Sequence, residues 1–146
     1  MNSTSNSKLP TLILIAGDLL ILIGFVFAGQ REHNLTDSSN PLWRLALVAG
    51  AFAGPWLIAG WLLGAFRLPA AGERGIRPYS AFLARGLNSW LVAAPLGALL
   101  RAFAIHEVII VVIFLVVTLS LGGALLIAWR LAFALMWGRM KRSAIN

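Results

Sequence analysis

Asp18 is the residue that calls for a chemical explanation. It stands in the run "LILIAGDLLILIGF", where every neighbour for several residues in each direction is apolar or glycine. A carboxylate left charged in the middle of a hydrocarbon layer costs about 2.5–3.5 kcal/mol on insertion scales. Such a group must either meet a cation or serve as a proton or cation carrier. Two arginines lie in later apolar runs, Arg85 in "ARGLNSW" and Arg130 in "IAWRLAF". The expectation is a buried ion pair or relay of Asp18 with Arg85 or Arg130, aided by Asn88 and Ser89, which share a helical face with Arg85. Val92 and Leu96 continue that face, which should turn toward the inside of a bundle.

Other chemistry finds little support. The chain has no cysteine, which removes disulfides, thiolate metal sites and cysteine nucleophiles together. His33 and His106 stand beside Glu32 and Glu107, but the histidines lack the i, i+4 spacing of a helical metal site, and no metal is expected. Phosphate-binding glycine loops and nucleophile elbows are absent, and no two acids are close enough for hydrolysis. The chain therefore reads as a protein without catalytic residues and without a resident cofactor.

These side chains are carried by a membrane composition. Of 146 residues, 60% are hydrophobic and 12% charged, and the charges crowd between long apolar runs. A helix needs about 20 apolar residues to cross a hydrocarbon core about 30 Å thick. Four runs qualify, near residues 9–28, 42–66, 79–103 and 108–137. The fold expected is all-α, a single transmembrane domain over residues 1–146 built as a bundle of four transmembrane helices. "AFAIHEVII" leaves so little between the last two runs that they should form a tight hairpin. Counted from Leu9, Asp18 lies about 13 Å into the first helix, near mid-membrane.

Charge gives the orientation. With Lys8, Arg67, Arg74, Arg77, Arg85, Arg130, Arg139, Lys141 and Arg142 on one side, only Arg31, Arg44 and Arg101 remain for the other. The positive-inside rule then places both termini in the cytoplasm, in a multi-pass protein of the cell inner membrane. The net charge of +7 is explained by those loops and does not imply nucleic acid. The lipid bilayer is the partner it implies.

At 100° per residue the second run gathers Gly50, Gly54, Gly60 and Gly64, with Ala46 and Ala53, on one arc. Small residues let a second helix approach closely, so this is expected to be a helix-packing face. The same missing side chains would also make a groove for a bound lipid or isoprenoid tail. Pro55, Pro95 and Gly122-Gly123 are weak points in three of the helices. The expectation that follows is an accessory, assembly or lipid-binding subunit of a larger membrane complex or a homo-oligomer. The alternatives are a small oligomeric transporter or proton or cation pathway using Asp18 and, ranked third, an enzyme acting on lipids through Asp18 and an arginine at headgroup level.

Taken in order, "AGDLLILIGFVFAGQREH", "GPWLIAGWLLGAF", "ARGLNSWLVAAPLGALLRAF" and "LVVTLSLGGALLIAWRLAF" resemble the prokaryotic four-span membrane proteins catalogued as domain of unknown function three-zero-five-four. The resemblance covers nearly the whole chain except its termini and second loop. It implies a four-helix integral membrane protein and marks Gly17-Asp18, Gly29 with Arg31 and His33, Arg85-Gly86, Gly97 with Arg101, and Trp129-Arg130 as matching positions. Gln30-Arg31-Glu32-His33 departs from the two basic residues more usual in that family before the histidine. No reaction is implied.

Overall fold

In a hydrocarbon solvent no water satisfies the backbone, so each apolar run has to close its hydrogen bonds within itself as a helix. The computed structural model describes residues 8–32, 40–69, 77–105 and 111–143, and all the regular structure among them is helical. Helix α1 covers Lys8–Glu32, α2 Pro41–Leu62 and α3 Arg77–Ala104. The fourth span is composite: α4, Val111–Val117, passes through a π-helical turn, Thr118–Gly122, into α5, Gly123–Ser143. Four helical segments, Lys8–Arg31, Pro41–Leu62, Pro78–Ala104 and Val112–Met140, are long and apolar enough to cross a membrane. The chain is a multi-pass membrane protein.

The helices close a ring: α1 packs on α2 and α5, α2 on α3, and α3 on α5. The turn of the hairpin expected between the third and fourth spans falls on residues 106–110, which lie outside the described residues, as do His33, His106 and Glu107.

Local signals set the ends of α2. Asn40 caps it, its Oδ1 accepting from the Trp43 backbone N–H at 3.2 Å, and Pro41 occupies the first helical position, where no donor is needed. At the other end Gly64 takes φ +69°. Its N–H donates to Trp61 O at 3.3 Å while Ala65 N–H donates to Gly60 O at 2.8 Å. That pair of bonds is a Schellman stop. The apolar run continues to Phe66, but the helix does not, so the expected second span is four residues too long. Pro55 and Pro95 both lie within continuous helix.

Beyond the stop, the chain tucks back under the bundle. Ala65 is buried, Phe66 sets its ring edge-on to Trp56 (centroids 6.2 Å apart), and Leu68 packs among Leu14, Phe82, Phe133 and Ala134.

Close approach between helices rests on glycines other than those on α2. A Cβ at Gly97 would run into the Phe52 ring, and one at Gly122 would stand 2.6 Å from the Trp90 ring. Trp90 also donates its indole N–H to Leu119 O at 3.2 Å. Leu119 belongs to the π-helical turn, and its carbonyl takes this indole N–H as well as the backbone N–H of Gly123. Phe52, Trp56 and Trp90 form the aromatic centre of the bundle, with Phe52–Trp90 and Trp56–Trp90 centroids 6.4 and 6.0 Å apart.

Candidate functional site

On α1 the buried residues Leu14, Asp18, Leu22, Val26 and Gln30 recur every fourth position, so one inward line carries the carboxylate. On α5, Leu126, Arg130 and Ala134 make the matching line. Arg130 Nη2 donates to Asp18 Oδ2 at 2.5 Å and Nε to Oδ1 at 3.3 Å, a two-pronged pair across a sequence separation of 112 residues. Both side chains are fully buried. The third nitrogen, Nη1, donates to Ala65 O at 2.8 Å. Arg130 thereby joins the first span, the last span and the turn that follows the second.

The remaining faces of the guanidinium meet rings. Its central carbon lies 5.1 Å from the Trp56 ring centroid, 5.3 Å from Phe82 and 5.9 Å from Phe66. These are cation–π distances at a fully buried guanidinium. The Trp56 indole N–H also approaches the Asp18 carboxylate, outside hydrogen-bond geometry.

The space for this head group is supplied by glycine. A Cβ on Gly86 would stand 2.9 Å from Arg130 Nη1 and 3.0 Å from Cδ. One residue before each ion-pair partner the same trade is repeated, since a Cβ on Gly17 would fall inside the Trp129 ring. The dipeptides Gly17-Asp18 and Trp129-Arg130 therefore dock as a unit, ring on bare backbone and cation on carboxylate.

A layered arrangement results. Leu14, Phe82, Phe133 and Ala134 form one apolar cluster. Leu22, Phe52, Trp56, Trp90 and Leu126, with their neighbours, form the other. Asp18, Gly86 and Arg130 each stand between a residue of the first cluster and one of the second, four positions from either on its own helix. The charged layer is thus sandwiched between two apolar ones. With the carboxylate doubly bonded and the guanidinium using all three nitrogens, the arrangement works as a clamp between helices.

Of the two candidate arginines, Arg130 holds Asp18 and Arg85 does not. Arg85 Nη2 donates instead to Arg67 O at 3.1 Å, binding the turn after α2 from the side of α3. Ser89 is fully buried, and its Oγ donates to Arg85 O at 2.8 Å and reaches Ala59 O at 3.5 Å, tying α3 to α2. Asn88 is exposed on the outside of the bundle, as are Val92 and Leu96. The face read as inward is therefore turned outward except at its edge. The true inward line of α3 runs through Gly86, Trp90, Ala93 and Gly97.

The glycine face of α2 also needs correction. Gly60 is filled by the Phe66 ring of its own chain, where an added Cβ would stand 2.5 Å away, and Gly64 belongs to the turn. Gly50 and Gly54 have no atom within 4 Å of such a Cβ. Among the described residues nothing covers the Gly50 and Gly54 part of this face.

The ring box of Trp56, Phe66 and Phe82 and the Ala65 carbonyl were not anticipated from sequence. Gly86 carried a signal, through its place in the "ARG" stretch. Among the described residues no three His, Asp or Glu side chains gather as a metal site would require.

Comparison with curated proteins and with solved structures finds no match. A family model described as "Protein of unknown function (DUF3054)" matches residues 15–133, a stretch that includes Asp18, Gly86 and Arg130. The chain belongs to this family of proteins of unknown function.

Proposed function

We propose that the protein is a non-catalytic accessory or assembly subunit of a larger complex in a prokaryotic inner membrane, and that it docks through the outward face of α2. The observation behind this reading is the contrast among its glycines. Gly17, Gly60, Gly86, Gly97 and Gly122 are each covered by a side chain of the same protein, whereas among the described residues Gly50 and Gly54, four apart on one face of α2, are covered by none, as are the more widely spaced Gly24 and Gly29 on α1. Ala46 extends the bare strip and is exposed. In lipid, apolar surface alone gives helices no reason to associate, so exposed small residues are where a partner helix gains contact.

The ion pair supports the same reading over transport. Asp18 and Arg130 satisfy one another in full burial, so the carboxylate serves the bundle's cohesion. Orientation follows from the exposed cations Lys8, Arg67 and Arg139 at the end where α1 begins and α5 finishes, which supports cytoplasmic termini.

Affinity purification of the tagged full-length chain in mild detergent tests the proposal. A stoichiometric partner, or a second copy, is expected with the native protein and should be lost in a Gly50→Ile/Gly54→Ile variant whose melting temperature is unchanged. A monomer in both cases, or association indifferent to the substitutions, would refute it. A lipid or isoprenoid retained on this face in place of protein would also displace the assembly reading.

A further inference from the structure

Span four changes its winding where it meets Trp90. Thr118–Gly122 is a π-helical turn, and the Trp90 ring lies on the bare backbone at its end, 2.6 Å from where a Cβ of Gly122 would stand and 3.0 Å from one on Gly123. The indole N–H reaches Leu119 O at 3.2 Å. Ser120 Oγ donates to Val116 O at 2.7 Å, tying the turn to α4. Further along α4 the Arg101 guanidinium lies over the Phe114 ring, 4.4 Å from its centroid, and the Phe52 and Phe114 centroids are 6.3 Å apart.

Within this winding one polar group is left unanswered. Thr118 is fully buried, yet its Oγ1 has no hydrogen-bond partner among the described residues. Buried hydroxyls are nearly always bonded, and a helical threonine has the carbonyl four residues back within reach. The contacts of Trp90, Arg101 and Phe52 offset that loss.

The residues of span four also suit a second winding. A regular α-helix continued back from Leu126 at 100° per residue would put Leu119 and Leu115 within about 20° of its inward direction, and Thr118 and Phe114 about 80° and 120° away. The π turn instead brings Thr118 inward, fully buried, and sets Phe114 against Phe52. The straight helix would offer the core leucines only, with no hydroxyl to satisfy. The segment is lightly held: α4 packs on α3, and none of the side chains of residues 112–117 is buried.

We infer that the α4 half of span four is a two-register switch, passing between the π-turn state, with Phe114 and Thr118 inward, and a straight α-helical state with Leu115 and Leu119 inward. The passage turns α4 by about 100° and moves it about 1.5 Å along its axis. It releases the bond from Trp90 to Leu119 O, lifts Phe114 from Phe52 and Arg101, and takes the Thr118 hydroxyl out of the apolar cluster. α4 then shows a different face to its surroundings, so a helix or lipid that favours one face selects one register. The inference is independent of the α2 face.

Spin labels on the full-length chain in nanodiscs test this. The chain has no cysteine, so Ile23→Cys on α1 and Ile113→Cys on α4, both exposed, give a single labelled pair. Pulsed electron resonance should show the distance of the π-turn register and a smaller second population. Trp90→Phe deletes the bond to Leu119 O and should raise the second population about fivefold. Phe114→Leu deletes the ring contacts and should raise it as well. Deleting Ser120 removes the extra residue of the π turn, so that a straight helix keeps Thr118 and Phe114 inward, and the second population should vanish. One unchanged distance in the native, Trp90→Phe and Phe114→Leu chains overturns the inference, as does a second population that survives the deletion. Phe114 is half-buried, so its arm remains readable if Trp90→Phe fails to fold.

Discussion

Gly86 on α3 and Arg130 on α5 occupy one another's space: where any other residue would place its first side-chain carbon, the arginine head group already lies. The ion pair therefore depends on a residue that takes no part in it. Gly86→Val should cost about 1–3 kcal/mol through overpacking, and Gly86→Ala less. Unfolding of the purified protein in mixed micelles by a graded denaturing detergent would measure both. A Gly86→Val protein as stable as the native chain would show that Arg130 has another resting place.

Breaking the pair from either side should be costly and breaking it from both sides much less so. Arg130→Met and Asp18→Leu alone are expected to lose about 3–5 kcal/mol, because each strands a buried charge. The double variant removes both charges and should recover a large part of that loss. A double-mutant cycle read by the same unfolding assay checks it, and additive losses would sink the clamp described above. Arg130→Lys should behave as a damaging substitution, since an ammonium cannot serve two carboxylate oxygens and the Ala65 carbonyl in the same fork geometry.

Glycine substitutions sort by what lies above them. Gly97→Ala should destabilise, because its new methyl meets the Phe52 ring, by about 1–3 kcal/mol. Gly50→Ala meets nothing and should be neutral or slightly stabilising for the bundle, within about 1 kcal/mol. Equal losses at the two positions would mean that Gly50 is covered.

Trp90→Phe retains the ring in the aromatic centre and deletes one donor, the indole N–H that reaches Leu119 O. A loss of about 1 kcal/mol is expected. Backbone amide exchange should also quicken around the π-helical turn, while α1 is unaffected. Exchange that stays unchanged there would mean the turn holds without the tryptophan.

Length and hydropathy were enough to reveal four spans, because a bilayer constrains both directly. They were not enough to end α2, whose stop lies in the backbone of Gly64 while its side chains remain apolar through Phe66. Asp18 announced itself as a charge out of place. The choice between Arg85 and Arg130 was beyond a reading of depth, since both sit at suitable heights and only the rotation of each helix decides which one turns inward. Polarity misled on α3 for a related reason: with lipid outside and side chains inside, both surroundings are apolar, and Asn88 lies on the outer face without breaking any pattern. Trp56, Phe66 and Phe82 were hidden by the same sameness, being aromatic residues among many.

The link between Asp18 and Arg130 runs from the first span to the last. During synthesis the carboxylate enters the membrane two whole spans and part of a third before its counter-ion exists, and the Ala65 carbonyl waits for another nitrogen of the same side chain. A ribosome that stalls before α5 releases a chain with an unanswered charge in its oldest helix, whereas a finished chain carries none. The pair thereby marks completion of the bundle: only a chain that has reached its last span leaves no buried charge unanswered.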